Sequence, residues 1–379
     1  MGYGEVGEHR GGLLLPRALA LSLISLTAAV AATTLYEEPL LRDVSTTPAS
    51  TTRFFVTPYG GDSIHVPDGA GYEEIRVGGQ VWLARPVDGG FVGIHWQRTG
   101  DPTSQTIYHV DFQGRHLLDG EQFLANLSAY FESSLGRNLY APHHDVVTTD
   151  VGYLFLARDR PQTDAGSVSR DWVIETDAHG NVLWSWDIAE HLLGGDPVGL
   201  GARGEDWIHA NSIDLTATHD VVLSARNLNQ IVVVSRSDGR VLRRFGDDVL
   251  SEQHHATVQP DGGFLVFDNG FAHGRSRVVK FTPAGDLDWV LPLVDSAGDP
   301  VFGPAYGSAS VTEAGTLLIC AGPAGQILEV TTAGELIAEW DLLRTHDVPW
   351  ATNWGGRQSA CYRVYEAPAG GRPSVGADR

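Results

Sequence analysis

Short hydrophobic runs, alternating with polar positions and separated by tight links, recur along the chain from residue 74 to residue 365. Alternation at a period of two predicts strands, and the glycine-rich links predict hairpins. Five units can be laid over one another. The first holds Phe91–Trp96, Thr106–Asp111 and a return strand after Gln113-Gly114; the second holds Tyr153–Ala157, Trp172–Asp177 and Val182–Trp186. The third holds Val221–Arg226, Ile231–Ser235 and Val241–Phe245. The fourth holds Phe264–Asp268, Arg277–Thr282 and Leu287–Val290, and the fifth Leu317–Cys320, Gln326–Val330 and Leu336–Trp340. In each unit the last two strands flank a two-residue turn ending in glycine: Gln113-Gly114, His179-Gly180, Asp238-Gly239, Ala284-Gly285 and Ala333-Gly334. Glycine there supplies the positive φ that a tight hairpin needs.

Repeats of about 40 to 60 residues built from antiparallel hairpins predict a β-propeller. Glu74–Val77 and Gln80–Ala84 at one end, with Ala360–Tyr365 at the other, supply a further blade. Closing that blade from both ends of the chain removes two open sheet edges. The reading is an all-β, six-bladed β-propeller over residues 54–366, with seven blades as the other count. Residues 120–136 and 188–201 read as short helical inserts. The innermost strands are expected near Leu154, Leu223, Leu265 and Leu318.

The first forty residues differ in kind. Ala18 to Ala32 is apolar apart from Ser22, Ser25 and Thr27, and His9, Arg10 and Arg17 precede it. That fits an export signal, and extended to Tyr36 the run is long enough for a single membrane anchor. The division is therefore residues 1–36 as signal peptide or anchor, 37–53 as a polar link, 54–366 as propeller and 367–379 as a disordered tail. The chain is expected to be exported, either periplasmic or extracellular, or held at a membrane through that segment.

Three of the repeats also return a histidine to the same place. His144 leads into Tyr153–Ala157, His209 into Val221–Arg226 and His254 into Phe264–Asp268. In the first and third a glycine (Gly152, Gly262) falls eight residues later and an apolar residue (Leu154, Phe264) ten later. Repeated placement on successive blades would gather these imidazoles at one mouth of the central channel. An isolated histidine in a glycine-rich loop usually satisfies backbone groups or faces solvent; three in register with Asn211 and Arg226 close by read as a site. An arginine fork favours an oxyanion and repels a metal cation. His143 and His255 double their neighbours, and the glycine register selects His144 and His254.

Composition narrows the chemistry further. The formal net charge of -21 argues against nucleic-acid binding, and Lys280 is the only lysine. No phosphate-binding G-x-x-x-x-G-K loop is present. Two cysteines, Cys320 and Cys361, are too few for a disulfide scaffold and read as two buried thiols, with a single bridge as the alternative in an exported chain.

The segments Asp206–Ile213, Leu223–Asn229, Gln253-His254, Phe267–Gly270 and Ser276-Arg277 resemble the bacterial arylsulfate sulfotransferases, in order and in spacing. The resemblance covers roughly residues 140 to 340. It implies a six-bladed propeller that moves a sulfuryl group from an aryl sulfate to a phenolic acceptor through a sulfated histidine, by ping-pong steps and without a nucleotide or other cofactor. Carried over by motif, His254 matches the nucleophile. His209, Asn211 and Arg226 match sulfate-binding groups, and His144 matches the remaining channel histidine. His143, His255 and Trp207 lie beside these and are read as substrate-binding neighbours. Trp96, Trp207, Tyr306 and Trp354 are candidates for an aromatic wall. The chain departs from the family in having no separate N-terminal β-domain after the leader. The alternatives are a non-catalytic propeller that binds or scaffolds, and an enzyme in which His144, His209 and His254 ligate a metal.

Overall fold

Six antiparallel sheets of three to five strands close a ring through contacts between their inner strands. They are seen in a computed structural model that describes residues 41–44, 50, 52–58, 61–68, 71–97, 102–163, 166–194, 206–343 and 361–367. Blade 1 is Gln80–Val87, Gly90–Trp96 and Gln105–Asp111. Blade 2 is Leu139–Thr148, Gly152–Asp159, Arg170–Asp177 and Val182–Asp187. Blade 3 is Ala210–Leu215, Val221–Ala225, Gln230–Val234 and Val241–Phe245. Blade 4 is His254–Val258, Phe264–Asp268, Arg277–Phe281 and Leu287–Pro292. Blade 5 is Ser308–Val311, Leu317–Cys320, Gln326–Val330 and Leu336–Leu342, and Leu41–Asp43 adds a fifth strand at its outer edge. Blade 6 takes its inner strand from Cys361–Glu366 and the rest from Phe54–Pro58, Ser63–Asp68 and Gly71–Arg76.

The six-bladed propeller expected from the pattern is present, and its last blade is closed from both ends of the chain. Three expectations are corrected. No return strand follows Gln113-Gly114 in blade 1, where only a single bridge from Val110 to His116 forms before the chain enters a helix. Gln80–Ala84 is not part of the closing blade but begins the inner strand of blade 1. The strands carrying Leu154, Leu223, Leu265 and Leu318 are second strands; the channel is lined by the strands before them, of which Leu139–Thr148 and His254–Val258 contain histidines and Ala210–Leu215 directly follows His209. Asn211–Leu215 and Ala256–Val258 read as links because each offers only two apolar residues, too few to stand out as a strand in the sequence.

Six apolar clusters fill the six seams between blades. Each strand offers alternate residues to the sheets on either side, so one blade cannot bury itself without its neighbours. Two α-helices occur among the described residues. Helix α1 (Gly120–Leu135) begins where the Asp119 side chain accepts from the Gln122 amide and ends at left-handed Gly136. Phe123, Leu127 and Phe131, one turn apart, bury its inner stripe in the seam between blades 1 and 2. Helix α2 (Ile188–Leu193) caps blade 2 in the same way, from Asp187. The glycine turns are left-handed as expected; Gly239 has φ +70° and its carbonyl accepts from the Trp186 indole at 2.8 Å, tying blade 3 to blade 2.

Cys320 and Cys361 are joined in a disulfide, correcting the reading of two thiols. The topology explains it: the second strand of blade 5 packs on the inner strand of blade 6, bringing two Cα atoms 41 positions apart to 6.2 Å. The signal or anchor of residues 1–36, most of the 37–53 link, residues 195–201 of the second insert, Trp354 and all of the tail except Ala367 lie outside the described residues.

Candidate active site

The inner strands share a defect at the same end. A β-bulge interrupts the pairing of inner and second strands after Val81 in blade 1, His143 in blade 2, Ala210 in blade 3 and His254 in blade 4. A fifth lies in blade 6, between Cys361 and Val364. A bulge adds residues to one strand and re-aims their side chains. The residues it re-aims are Trp82, His144 with Asp145, Asn211, His255, and Tyr362 with Arg363. His144, His209, His255 and Tyr306 have φ of +60°, +51°, +49° and +55°. Such angles cost residues with a Cβ about 1–3 kcal/mol and persist only where packing enforces them.

Three imidazoles meet at this mouth. His144 and His209 rings stand 4.8 Å apart at 73°. His254 is close enough for its field to act on His144, and the field of His209 acts on both. Each is tethered through Nδ1: His144 to His143 Nδ1 at 2.5 Å, His209 to the Asp206 carboxylate at 2.7 Å and His254 to Asn269 Oδ1 at 2.6 Å. None of the three Nε2 atoms has a hydrogen-bond partner among the described residues. Asn269 cannot turn, because its amide nitrogen donates to the carbonyls of Gly303 at 2.6 Å and Tyr306 at 2.8 Å. His254 must therefore donate from Nδ1, which leaves a lone pair on Nε2.

Burial, and then the Arg226 guanidinium, push the His254 pKa well below the ordinary histidine value. Burial also depresses His144, helped by His143 and His209. The nitrogens are thus held neutral, the form that can attack an electrophile.

Two neighbours singled out from the sequence stand elsewhere. His255 is turned into the channel, where Nδ1 donates to the Ala309 carbonyl at 3.1 Å and Nε2 meets the Tyr365 hydroxyl at 3.3 Å. Trp207 packs into the seam between blades 2 and 3; the indole beside the histidines is Trp82, 6.3 Å from His144 and tilted at 55° against Trp96, 5.2 Å away. Tyr306 lies 6.3 Å from His254. Asn211 is fully buried and its amide donates to the Gln253 carbonyl, so it fastens the segment that carries His254. The Arg226 fork is engaged by the Glu252 carboxylate and by Asn227 Oδ1.

The hairpin register pairs His143 with Leu156 and His254 with Phe267, so His143 and His254 are equivalent in the repeat and His144 matches His255. The glycine count misses this because Gly152 directly precedes Tyr153, the first paired residue of its strand, whereas Gly262 stands one position further from its counterpart Phe264; the register equivalent of Gly152 is Gly263. His144 nonetheless reaches the pocket because the larger bulge rotates it there.

Sequence reasoning missed the charges behind the histidines. Asp145 accepts from Arg363 at 2.7 Å and from Arg85 at 3.2 Å, plugging the channel below the pocket. At the far ends of the same strands Arg85, Asp88, Thr148 and Asp214 help line a separate cavity of about 390 Å³. Among the described residues no His, Cys, Asp and Glu set of three or more is grouped as metal ligands would be. Asp206 and Asn269 were inside the quoted motifs but carried no role.

Fold and site together define a β-propeller with a histidine-lined pocket at one mouth of its channel. The arylsulfotransferase (ASST) family model matches residues 83–249, from the inner strand of blade 1 to just past blade 3, and supports the arylsulfotransferase family for this chain. The match includes His144, His209, Asn211 and Arg226 and ends five residues before His254. That family implies small-molecule aryl sulfates and phenols as substrates. No curated protein matches the chain. Among solved structures it is similar to a protein of unknown function from Bacteroides caccae, with 12% identity, 83% of this chain and 98% of that one covered, and a TM-score of 0.47. It is also similar to virginiamycin B lyase from Staphylococcus aureus (10%, 80% and 89%, 0.43) and to apo AztD from Citrobacter koseri (11%, 83% and 72%, 0.33).

Proposed function

We propose that this protein transfers a sulfuryl group from an aryl sulfate ester to a phenolic acceptor through sulfated His254. The observation that carries the proposal is the fixed tautomer of His254, a neutral imidazole with Nδ1–H held by Asn269 and Nε2 left for attack. In the first step an N–S bond forms from Nε2 as the ester S–O bond breaks, and the phenolate leaves as the anion and takes up a proton from solvent. The imidazolium so created keeps its Nδ1–H on Asn269 Oδ1. In the second step the acceptor phenol loses its proton, its oxygen bonds sulfur, and the N–S bond breaks to restore His254. His209, backed by Asp206 and with Nε2 as a lone pair, is the group placed to take the acceptor's proton in the second step and pass it to solvent. Arg226 is the cation whose field acts most strongly on His254, and the sulfuryl oxygens would share its fork with Glu252. Trp82 and Tyr306 provide aromatic faces for the two phenol rings. The Cys320–Cys361 bridge supports an oxidising, exported location.

Initial rates with a chromogenic aryl sulfate and phenol should give parallel double-reciprocal lines. His254→Ala should bind the donor yet lose turnover by at least about 1,000-fold, and His255→Ala should retain most turnover. Normal transfer by His254→Ala would falsify the proposal.

A further inference from the structure

Behind the pocket, one carboxylate touches the supports of two of its histidines. Asp171, on the third strand of blade 2, is 1% exposed. Its Oδ1 accepts from Arg158 Nε at 2.7 Å and lies 3.3 Å from His143 Nε2. Its Oδ2 accepts at 2.9 Å from the backbone amide of Ala210, the residue after His209. One branch then runs from His143 Nδ1 to His144 Nδ1; the other runs from Arg158, 3.3 Å from Asp206, to His209.

We propose that Asp171 is a positioning residue that sets the tautomers of both His144 and His209 and so divides their work. An ionised carboxylate only accepts, and although its 3.3 Å contact with His143 is not aligned as a hydrogen bond, its charge favours the neutral His143 proton on Nε2, toward Asp171. The Nδ1 of neutral His143 is then an acceptor, and His144 must donate from its own Nδ1. In the other branch Arg158 holds Asp206 as an acceptor, so His209 also carries its proton on Nδ1. Both Nε2 atoms enter the pocket as lone pairs. The branches differ in what lies behind them. A proton arriving at His209 Nε2 creates a cation directly against Asp206, whereas one arriving at His144 creates a cation against another imidazole. His209 therefore carries the proton, and His144 stays neutral. The shifts agree: burial would raise the Asp171 pKa, but Arg158 and His143 hold it far below the usual carboxylate value, and burial with Arg158 lowers His143.

The division of labour rests on the proposed transfer reaction; the tautomers do not. The test is ¹⁵N NMR of histidine-labelled full-length protein, with His144 and His209 signals assigned by their loss in His144→Gln and His209→Gln. The wild type should show both as Nδ1–H tautomers. Asp171→Asn should shift both toward mixed tautomers, and should lower kcat by about 100-fold with KM for the donor changed less than about threefold. Asp206→Asn should disturb His209 alone, which keeps the claim testable where Asp171→Asn fails to fold. Wild-type rings protonated on Nε2, or unchanged tautomers in Asp171→Asn, overturn the proposal. Shifted tautomers in a protein without aryl-sulfate turnover uphold the positioning role and sink the transferase reading instead.

Discussion

Four buried histidines, His143, His144, His254 and His255, have pKa values below the ordinary one, and burial is the leading cause in each. The unfolded chain takes up protons at these positions from about pH 6.5 downward, while the folded chain resists until lower pH. Folded pKa values depressed in this sense give stability that is whole above pH 6.5 and lost as pH falls below it. Each histidine contributes a slope of up to about 1.4 kcal/mol per pH unit in that window. Thermal melts from about pH 7.5 to about pH 5.5 should show Tm falling steadily, and His255→Gln should make the fall shallower. An unchanged slope in that variant would mean His255 is not held neutral. The same depression keeps His254 nucleophilic below the usual histidine range, so the acid limb of kcat/KM should lie under pH 6.5.

At the scale of the element, the bulges do the placing, and they mark the limit of what the sequence discloses. Hairpins are legible because each tight turn demands a glycine at a countable position, as at Gly239 and Gly285. The inner strands are not, since the alternation in Asn211–Leu215 and Ala256–Val258 is too short to stand out beside the histidine motifs, and a bulge leaves no residue type as its signature. His144, His209 and His254 could be chosen by repetition alone. Asp171 and Arg158 could not, because their partners lie on other strands and in the next blade. The bulge at His255 is itself testable. His255→Gly should be more stable than His255→Ala by about 1 kcal/mol, because both lose the bonds to Ala309 and Tyr365 but only alanine strains φ +49°. Urea unfolding of the two variants measures the difference; a more stable alanine variant would remove the strain argument.

For the whole molecule, the ring is joined within blade 6, where Cys361–Glu366 pairs with Phe54–Pro58, and the seam with blade 5 anchors that joining strand. The disulfide there closes a loop of 41 positions, worth about 4 kcal/mol by the loop-entropy estimate. Reduction should lower Tm by several degrees, and Cys320→Ala with Cys361→Ala should reproduce the loss without reductant. Because Arg363 and Tyr365 share a strand with Cys361, transferase activity should fall in step with that loss when measured near Tm. A double variant with the Tm of the oxidised parent would show that the bridge does not hold the seam.

The inner strand of blade 6 also gives the protein a clock. Arg363 binds Asp145 across 218 positions of chain, and Phe54–Pro58 waits for Cys361–Glu366 before its sheet has an inner edge. Nothing on the ribosome can finish the pocket until residue 366 has emerged, and pairings this distant in sequence form slowly. A chain interrupted even a few residues early would hold His144, His209 and His254 on an open ring, so synthesis yields either a finished site or none.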